Sequence, residues 1–301
     1  DPIQLTDSYK DLLKQFGLRV PRPYLSRIEK GNLHDPLLKQ VLPVAQELQI
    51  MPGYSTDPLQ EKNCNPVPGL LHKYQGRVLL TLTGGCAIHC RYCFRRHFPY
   101  AQNAVGSKTW ADIFAYLQKH SDINEVIFSG GDPLLLEDEA LAALVADLET
   151  LPHLKRLRIH TRLPIVIPQR VTAGLIKLLS QTRLQTILVV HCNHANEIDD
   201  SVKKHLSLLK QANILLLNQS VLLAGINDST VDLINLSEKL FSAHVLPYYI
   251  HLLDRVQGAA HFDVDESRGR KLIWEITQLL PGYLVPKLVK EVHGQTAKVA
   301  V

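Results

Sequence analysis

Short apolar, β-rich runs recur along the chain from Arg77 onward: RVLLTLT (77–83), EVIFS (125–129), LRIHT (157–161), TILVVH (186–191), ILLLNQ (214–219) and AHVLPYY (243–249). Between them the apolar positions switch to helical spacing, as at Trp110, Ile113, Phe114 and Leu117, and at Val202, Leu206 and Leu209. The runs are apolar on both faces, which predicts a parallel sheet covered by helices. Upstream, residues 1–60 read as mostly helical with breaks at Pro21, Pro23, Pro36 and Pro52, and NCNPVPGL (63–70) reads as a loop.

Six β/α units are too few for a closed eight-stranded barrel. They suit an open, partial TIM-type (β/α)6 barrel or a doubly wound open sheet, and periodicity does not separate the two. Both place ligands at the C-terminal edge of the strands. Polar residues collect there: Cys86, Gly130, Arg162, His191, Gln219 and Tyr248.

Composition narrows the class. Of 301 residues, 46% are apolar and 21% charged, a globular balance with ample material for a core. No apolar run is long enough for a membrane span. The opening DPIQLTDSYK has neither a basic start nor an apolar stretch, so no signal peptide is visible; a cytoplasmic location is the expectation. The chain does not begin with Met. The net charge of +4 is spread without a basic, aromatic-interleaved tract, so no direct nucleic-acid partner is expected. The cysteines are Cys64, Cys86, Cys90, Cys93 and Cys192, an odd number with three inside eight residues. That favours a reducing compartment and a metal or cluster site over a disulfide scaffold.

Those three lie in GGCAIHCRYCFRR (84–96), spaced C-x3-C-x2-C. Thiolates suit iron–sulfur clusters and zinc. Three ligands on a four-iron cubane leave one iron open to a small molecule. A fourth ligand from Cys64 or Cys192 would instead give an electron-transfer cluster, and His89 or His97 would complete a zinc site. The spacing, the place after the first strand and the aromatic Tyr92 resemble radical S-adenosylmethionine (SAM) enzymes. In these the open iron chelates SAM, and reduction releases a 5′-deoxyadenosyl radical. SGGDPLL (129–135), after the second strand, resembles the family's glycine-rich contact to the SAM amino group, through Ser129, Gly130, Gly131 and Asp132.

Further blocks narrow the resemblance to the lysine 2,3-aminomutase family, from about Asn63 to Val301: HKYQGRVLLTLTGGCAIHCRYCFRR (72–96), RIHTRLPIVIPQR (158–170), NHANEI (193–198), NQSVLLAGIND (218–228) and GYLVPKLVKEVHGQTAK (282–298). The resemblance implies an N-terminal extension (1–70), a radical SAM partial barrel (71–280) and a C-terminal segment (281–301). It implies a [4Fe-4S] cluster on Cys86, Cys90 and Cys93, SAM, and pyridoxal 5′-phosphate held by Lys298. It also implies Lys73, Tyr74 and Arg77 on the cofactor phosphate, Arg95 on the substrate carboxylate, and Asp254 with Glu291 on a distal ammonium. The family's second acid is usually Asp, so Glu291 is one methylene longer. Gln219, His191 and Asn193 match SAM-side positions, with a structural role an equal reading of His191. No role carries over to Cys192. The family's additional zinc site is not expected, because Ser229 follows the NQSVLL block and no Cys follows Cys192.

The implied reaction is L-lysine to (R)-β-lysine, an amino migration from C2 to C3, with SAM regenerated. The implied setting is β-lysine supply to a ligase that modifies translation elongation factor P, with flavodoxin or ferredoxin as reductant and homo-oligomerisation left open. An arginine or glutamate aminomutase is the same-class alternative, and Asp254 and Glu291 would repel glutamate. A non-catalytic iron–sulfur or zinc protein is the alternative from another class.

Overall fold

The computed structural model describes residues 7–100, 103 and 105–301. The first six residues of the expected helical extension, and of the opening stretch read for a signal, lie outside the described residues. The N-terminal segment folds as short helices, α1 (Asp7–Gln15), α2 (Arg22–Leu25) and α3 (Pro36–Lys39), with a 3-10 turn at Ala45–Leu48. Turns separate them. Prolines start α2 and α3 rather than extending a preceding helix, and Gly31 and Gly53 adopt positive φ.

All six expected strands form. They are β2 (Arg77–Thr83), β3 (Glu125–Gly130), β4 (Arg156–Thr161), β5 (Gln185–Val190), β6 (Leu215–Val221) and β7 (Leu246–His251). Three more join the same sheet: β1 (Leu70–Tyr74), β8 (Lys287–Lys290) and β9 (Val299–Ala300). Strands β2 to β8 pair in parallel, while β1 and β9 close the two ends antiparallel. The longer helices between strands are α4 (Ser107–Lys119), α5 (Asp138–Glu149), α7 (Ala173–Gln181), α8 (Asp200–Gln211), α9 (Thr230–Ser242) and α10 (Glu266–Thr277), with the one-turn α6 (Leu163–Val166) after β4.

Strand order decides between the two architectures. The order runs β1 to β9 without reversal. A doubly wound sheet reverses direction at a switch point, and this sheet has none. Crossovers that always step the same way, with the right-handedness that parallel connections follow, put the helices between the strands on one face. The other face curls inward as an open barrel, and its strand ends surround a cavity.

The outer layer packs as the periodicity requires. Ile113 and Leu117 of α4, and Val202, Leu206 and Leu209 of α8, are fully buried in the main core. Every residue of β3 is buried, as expected for a strand covered on both faces. Thr172, Asp199 and Ser229 cap α7, α8 and α9 by accepting from Leu175, Val202 and Asp232 backbone N–H groups, each cap worth about 1 kcal/mol. Ser229 therefore serves as a helix cap.

Candidate active site

The loop after β2 carries the three motif cysteines, and all three line a cavity of about 440 Å³. Two glycine pairs fix this edge. Gly131 N donates to Thr83 O at 2.6 Å, and Asp132 N donates to Gly85 O at 2.8 Å, so the SGGD turn lies flat on the start of the cysteine loop. A Cβ on Gly131 would lie 2.0 Å from Gly85 O, and Gly130 has φ +118°. Only glycine fits this approach.

The cysteines are free thiols. Burial pushes the Cys86 thiol far up, with Cys93 and Cys90 adding to the rise, and pushes Cys93 up to about 11 with Cys90 contributing. The surroundings of Cys86 and Cys93 disfavour a bare thiolate, and an iron cluster would supply the positive charge that offsets this. Among the described residues no three His, Cys, Asp or Glu side chains converge on a single-ion position. Arg162 Nη1 donates to Cys90 Sγ and to Tyr92 Oη, each at 2.7 Å, while its Nη2 donates to Gln40 at 2.7 Å and Glu197 at 2.9 Å. A fixed positive charge thus faces one cluster thiol from behind.

The proposed SAM-side residues divide. Ser129, Gly130, Gly131, His191 and Gln219 line the cavity. Asp132 is in the wall, but its carboxylate accepts from Thr161 Oγ1 (2.6 Å) and from the backbone N–H groups of Arg162 (2.7 Å), Leu163 (3.1 Å) and Leu134 (3.1 Å). The side chain ties β3 to β4. Asn193 is fully buried behind the cavity and donates to Tyr92 Oη at 2.7 Å, so its side chain supports the wall rather than facing in. Burial and the charge of Arg162 lower His191 to about 4, and its Nε2 meets Tyr92 Oη at 2.8 Å. His191 is neutral and structurally engaged.

The opposite part of the cavity is built by the chain's two ends of sheet. Strand β1 presents Lys73 and Tyr74, β2 presents Arg77, and β7 with its following loop presents Tyr249, His251 and Asp254. The C-terminal segment forms β8, turns, and returns as β9 alongside it. That return places Glu291 and Lys298 in the same wall. Lys298 Nζ donates to Glu291 Oε1 at 3.0 Å and to His251 Nε2 at 3.1 Å. Burial and the Lys298 charge hold His251 well below its usual pKa, so its ring is the neutral acceptor. Burial works to raise Glu291, but Lys298 and Lys73, with hydrogen bonds from Lys298 and Tyr74, outweigh it and hold the carboxyl at about 2. Asp254 moves the other way, to about 7, through burial and then the Glu291 charge.

Arg95 points into the cavity between the two parts. Its partner is Glu61, which no sequence motif singled out. Arg95 Nε and Nη2 each donate to Glu61 at 2.8 Å, and Lys73 Nζ donates to the same carboxylate at 2.9 Å. Arg158, His160, Tyr249 and His251 also line the site and were not singled out from sequence. Arg158, His160 and Arg162 lie in the block RIHTRLPIVIPQR (158–170), which gave none of them a site role, and the curled sheet is what gathers them with Tyr249 and His251.

An open β/α barrel with three cysteines after its first parallel strand and a glycine turn folded onto them defines a radical SAM enzyme. A family model described as Radical SAM superfamily matches residues 80–236. Relatives extend the match over nearly the whole chain. L-lysine 2,3-aminomutase of Escherichia coli K12 is 52% identical over 285 residues, covering 95% of this chain and 83% of the relative. That of Haemophilus influenzae is 53% identical over 285 residues, covering 95% and 84%. That of Clostridium subterminale is 36% identical over 290 residues, covering 96% and 70%. The chain belongs to the L-lysine 2,3-aminomutase family, and so to the isomerases. Solved structures share the fold at low identity. SuiB of Streptococcus suis superposes with a TM-score of 0.53 at 15% identity, covering 73% of this chain and 50% of that one. A radical SAM methyltransferase from Sphaerobacter thermophilus gives 0.52 at 13%, covering 73% and 68%.

Proposed function

We propose that the protein converts L-lysine to (R)-β-lysine with a [4Fe-4S] cluster, SAM and pyridoxal 5′-phosphate. The observation that carries this reading is one cavity lined by Cys86, Cys90 and Cys93 and also by Lys298, Glu291 and Asp254. When bound, the cluster with SAM supplies a carbon radical that takes hydrogen from the substrate, and the pyridoxal ring supplies an electron sink for the migrating nitrogen.

In this reading Cys86, Cys90 and Cys93 would hold the cluster, and Ser129, Gly130, Gly131 and Gln219 would serve SAM. Lys298 would hold pyridoxal phosphate through its amine, and Lys73, Tyr74 and Arg77 would serve its phosphate. Arg95 would take the substrate carboxylate at the end of its guanidinium that Glu61 leaves free. Asp254 and Glu291 take the distal ammonium, which a buried site accepts only against negative charge. The enclosing walls keep water and stray donors from the radical. Glu291, one methylene longer than the family's usual Asp, accepts from Lys298 Nζ at 3.0 Å.

The wider setting proposed is cytoplasmic, with a flavodoxin- or ferredoxin-type reductant and the product passed to a ligase that modifies elongation factor P. Unpaired cysteines support a reducing compartment. Among the described residues no helix is long and apolar enough to cross a membrane.

The test is anaerobic incubation of the reconstituted protein with SAM, pyridoxal phosphate, a reductant and L-lysine, L-arginine or L-glutamate in parallel. Chiral chromatography is expected to show (R)-β-lysine from lysine alone. Conversion of arginine or glutamate in its place rejects the substrate.

A further inference from the structure

We infer that Glu61 is a positioning residue for the substrate carboxylate, acting through Arg95; the inference rests on the reading of Arg95 given above. Glu61 is buried, 3% exposed, at the start of a 3-10 turn spanning Glu61–Cys64. The turn is entered through Gln60 in the left-handed region (φ 49°), an uncommon conformation for a residue with a side chain. Glu61 N donates to Asp57 Oδ1 at 3.1 Å, which fixes the turn from the other side. The backbone is thus set to aim one carboxylate inward.

That carboxylate grips Arg95 along its Nε–Nη2 edge, both bonds 2.8 Å. The remaining nitrogen, Nη1, is directed toward Ser129, 3.4 Å from its Oγ, on the glycine-turn side of the cavity. Phe94 and Phe98 flank the guanidinium at 5.0 and 5.7 Å from their ring centroids. With one edge taken and two rings beside it, the fork has little freedom, and Nη1 is the end offered to a ligand. A second consequence follows from Lys73, which binds the same carboxylate at 2.9 Å and reaches Glu291 at 3.6 Å. One acid thereby fixes the spacing between the two cations assigned to substrate and cofactor.

The substitution Glu61→Gln keeps shape and removes charge. Glu61→Asp keeps charge and shortens reach. Each is prepared with cluster and pyridoxal phosphate bound, and without SAM or reductant so that nothing turns over. Dissociation constants for L-lysine and for L-lysinamide, which lacks the carboxylate, are measured by equilibrium dialysis. The wild type is expected to prefer lysine. E61Q is expected to lose lysine affinity on the order of tenfold, the usual worth of a charge-assisted bond, with lysinamide unchanged. E61D is expected to fall between. Equal weakening of both ligands, or an unchanged ratio in both variants, overturns the inference and leaves Arg95 as assigned. A wild type that does not distinguish the two ligands overturns the Arg95 reading itself, and the inference with it. Melting temperature and iron content of the same samples separate a general loss of fold from a change in this ratio.

Discussion

Two acids a short way apart in this cavity carry opposite perturbations. Glu291 is held at about 2 because Lys298 and Lys73 outweigh its burial, so it is charged at any working pH. Asp254 is raised to about 7 by burial and by the Glu291 charge, so it gains its own charge only as pH climbs through that value. Below it, the cavity offers a distal ammonium one anion; above it, two. The KM for lysine is therefore expected to fall as pH rises from about 6 to 8, and Asp254→Asn is expected to flatten that slope. Steady-state kinetics across this range checks it, and a slope that survives in the variant contradicts the assignment. Individual site residues were unevenly legible. Cysteines announce themselves by spacing, and Lys298 by the block it terminates. Glu61 and His251 have no such signal, because what makes them part of the site is a partner 34 residues away in one case and 47 in the other.

Among the elements, the joint between the cysteine loop and the SGGD turn is the least forgiving. The backbone of Gly131 runs so close to Gly85 that a single methyl group has no room. Gly131→Ala is expected to push the turn off the loop and to cut iron incorporation several-fold, read as iron per protein after anaerobic reconstitution. Full loading would show the joint to be softer than its geometry. Strands β2 to β7, six or seven residues each, were readable because β-rich positions recur in them between stretches of helical spacing. Strands β1, β8 and β9 were not. LLHKY and KLVK mix charge into short segments, and β9 spans two residues, so their pairing comes from the sheet edge that receives them. Yet these three strands carry or flank Lys73, Glu291 and Lys298.

At the scale of the molecule, the N-terminal segment braces the cysteine loop. Glu47 lies between Arg91 and Arg96 at 2.5 and 2.7 Å, all three nearly inaccessible to solvent. Removing the acid strands two buried cations. Glu47→Ala is expected to cost about 3–5 kcal/mol in denaturant unfolding, and a loss below about 1 kcal/mol would show the cluster to be solvated. The unreversed strand order, which sequence periodicity left undecided, is what curls the sheet and brings the last strands round to the cavity facing the cysteines. That closure puts Lys298 in the cavity wall, where it would anchor the proposed cofactor. The most direct measurement is borohydride reduction of the protein loaded with pyridoxal phosphate, followed by peptide mapping. A stable pyridoxyl label is expected on Lys298, and its loss in Lys298→Ala. A label on another lysine, or none on the wild type, contradicts it.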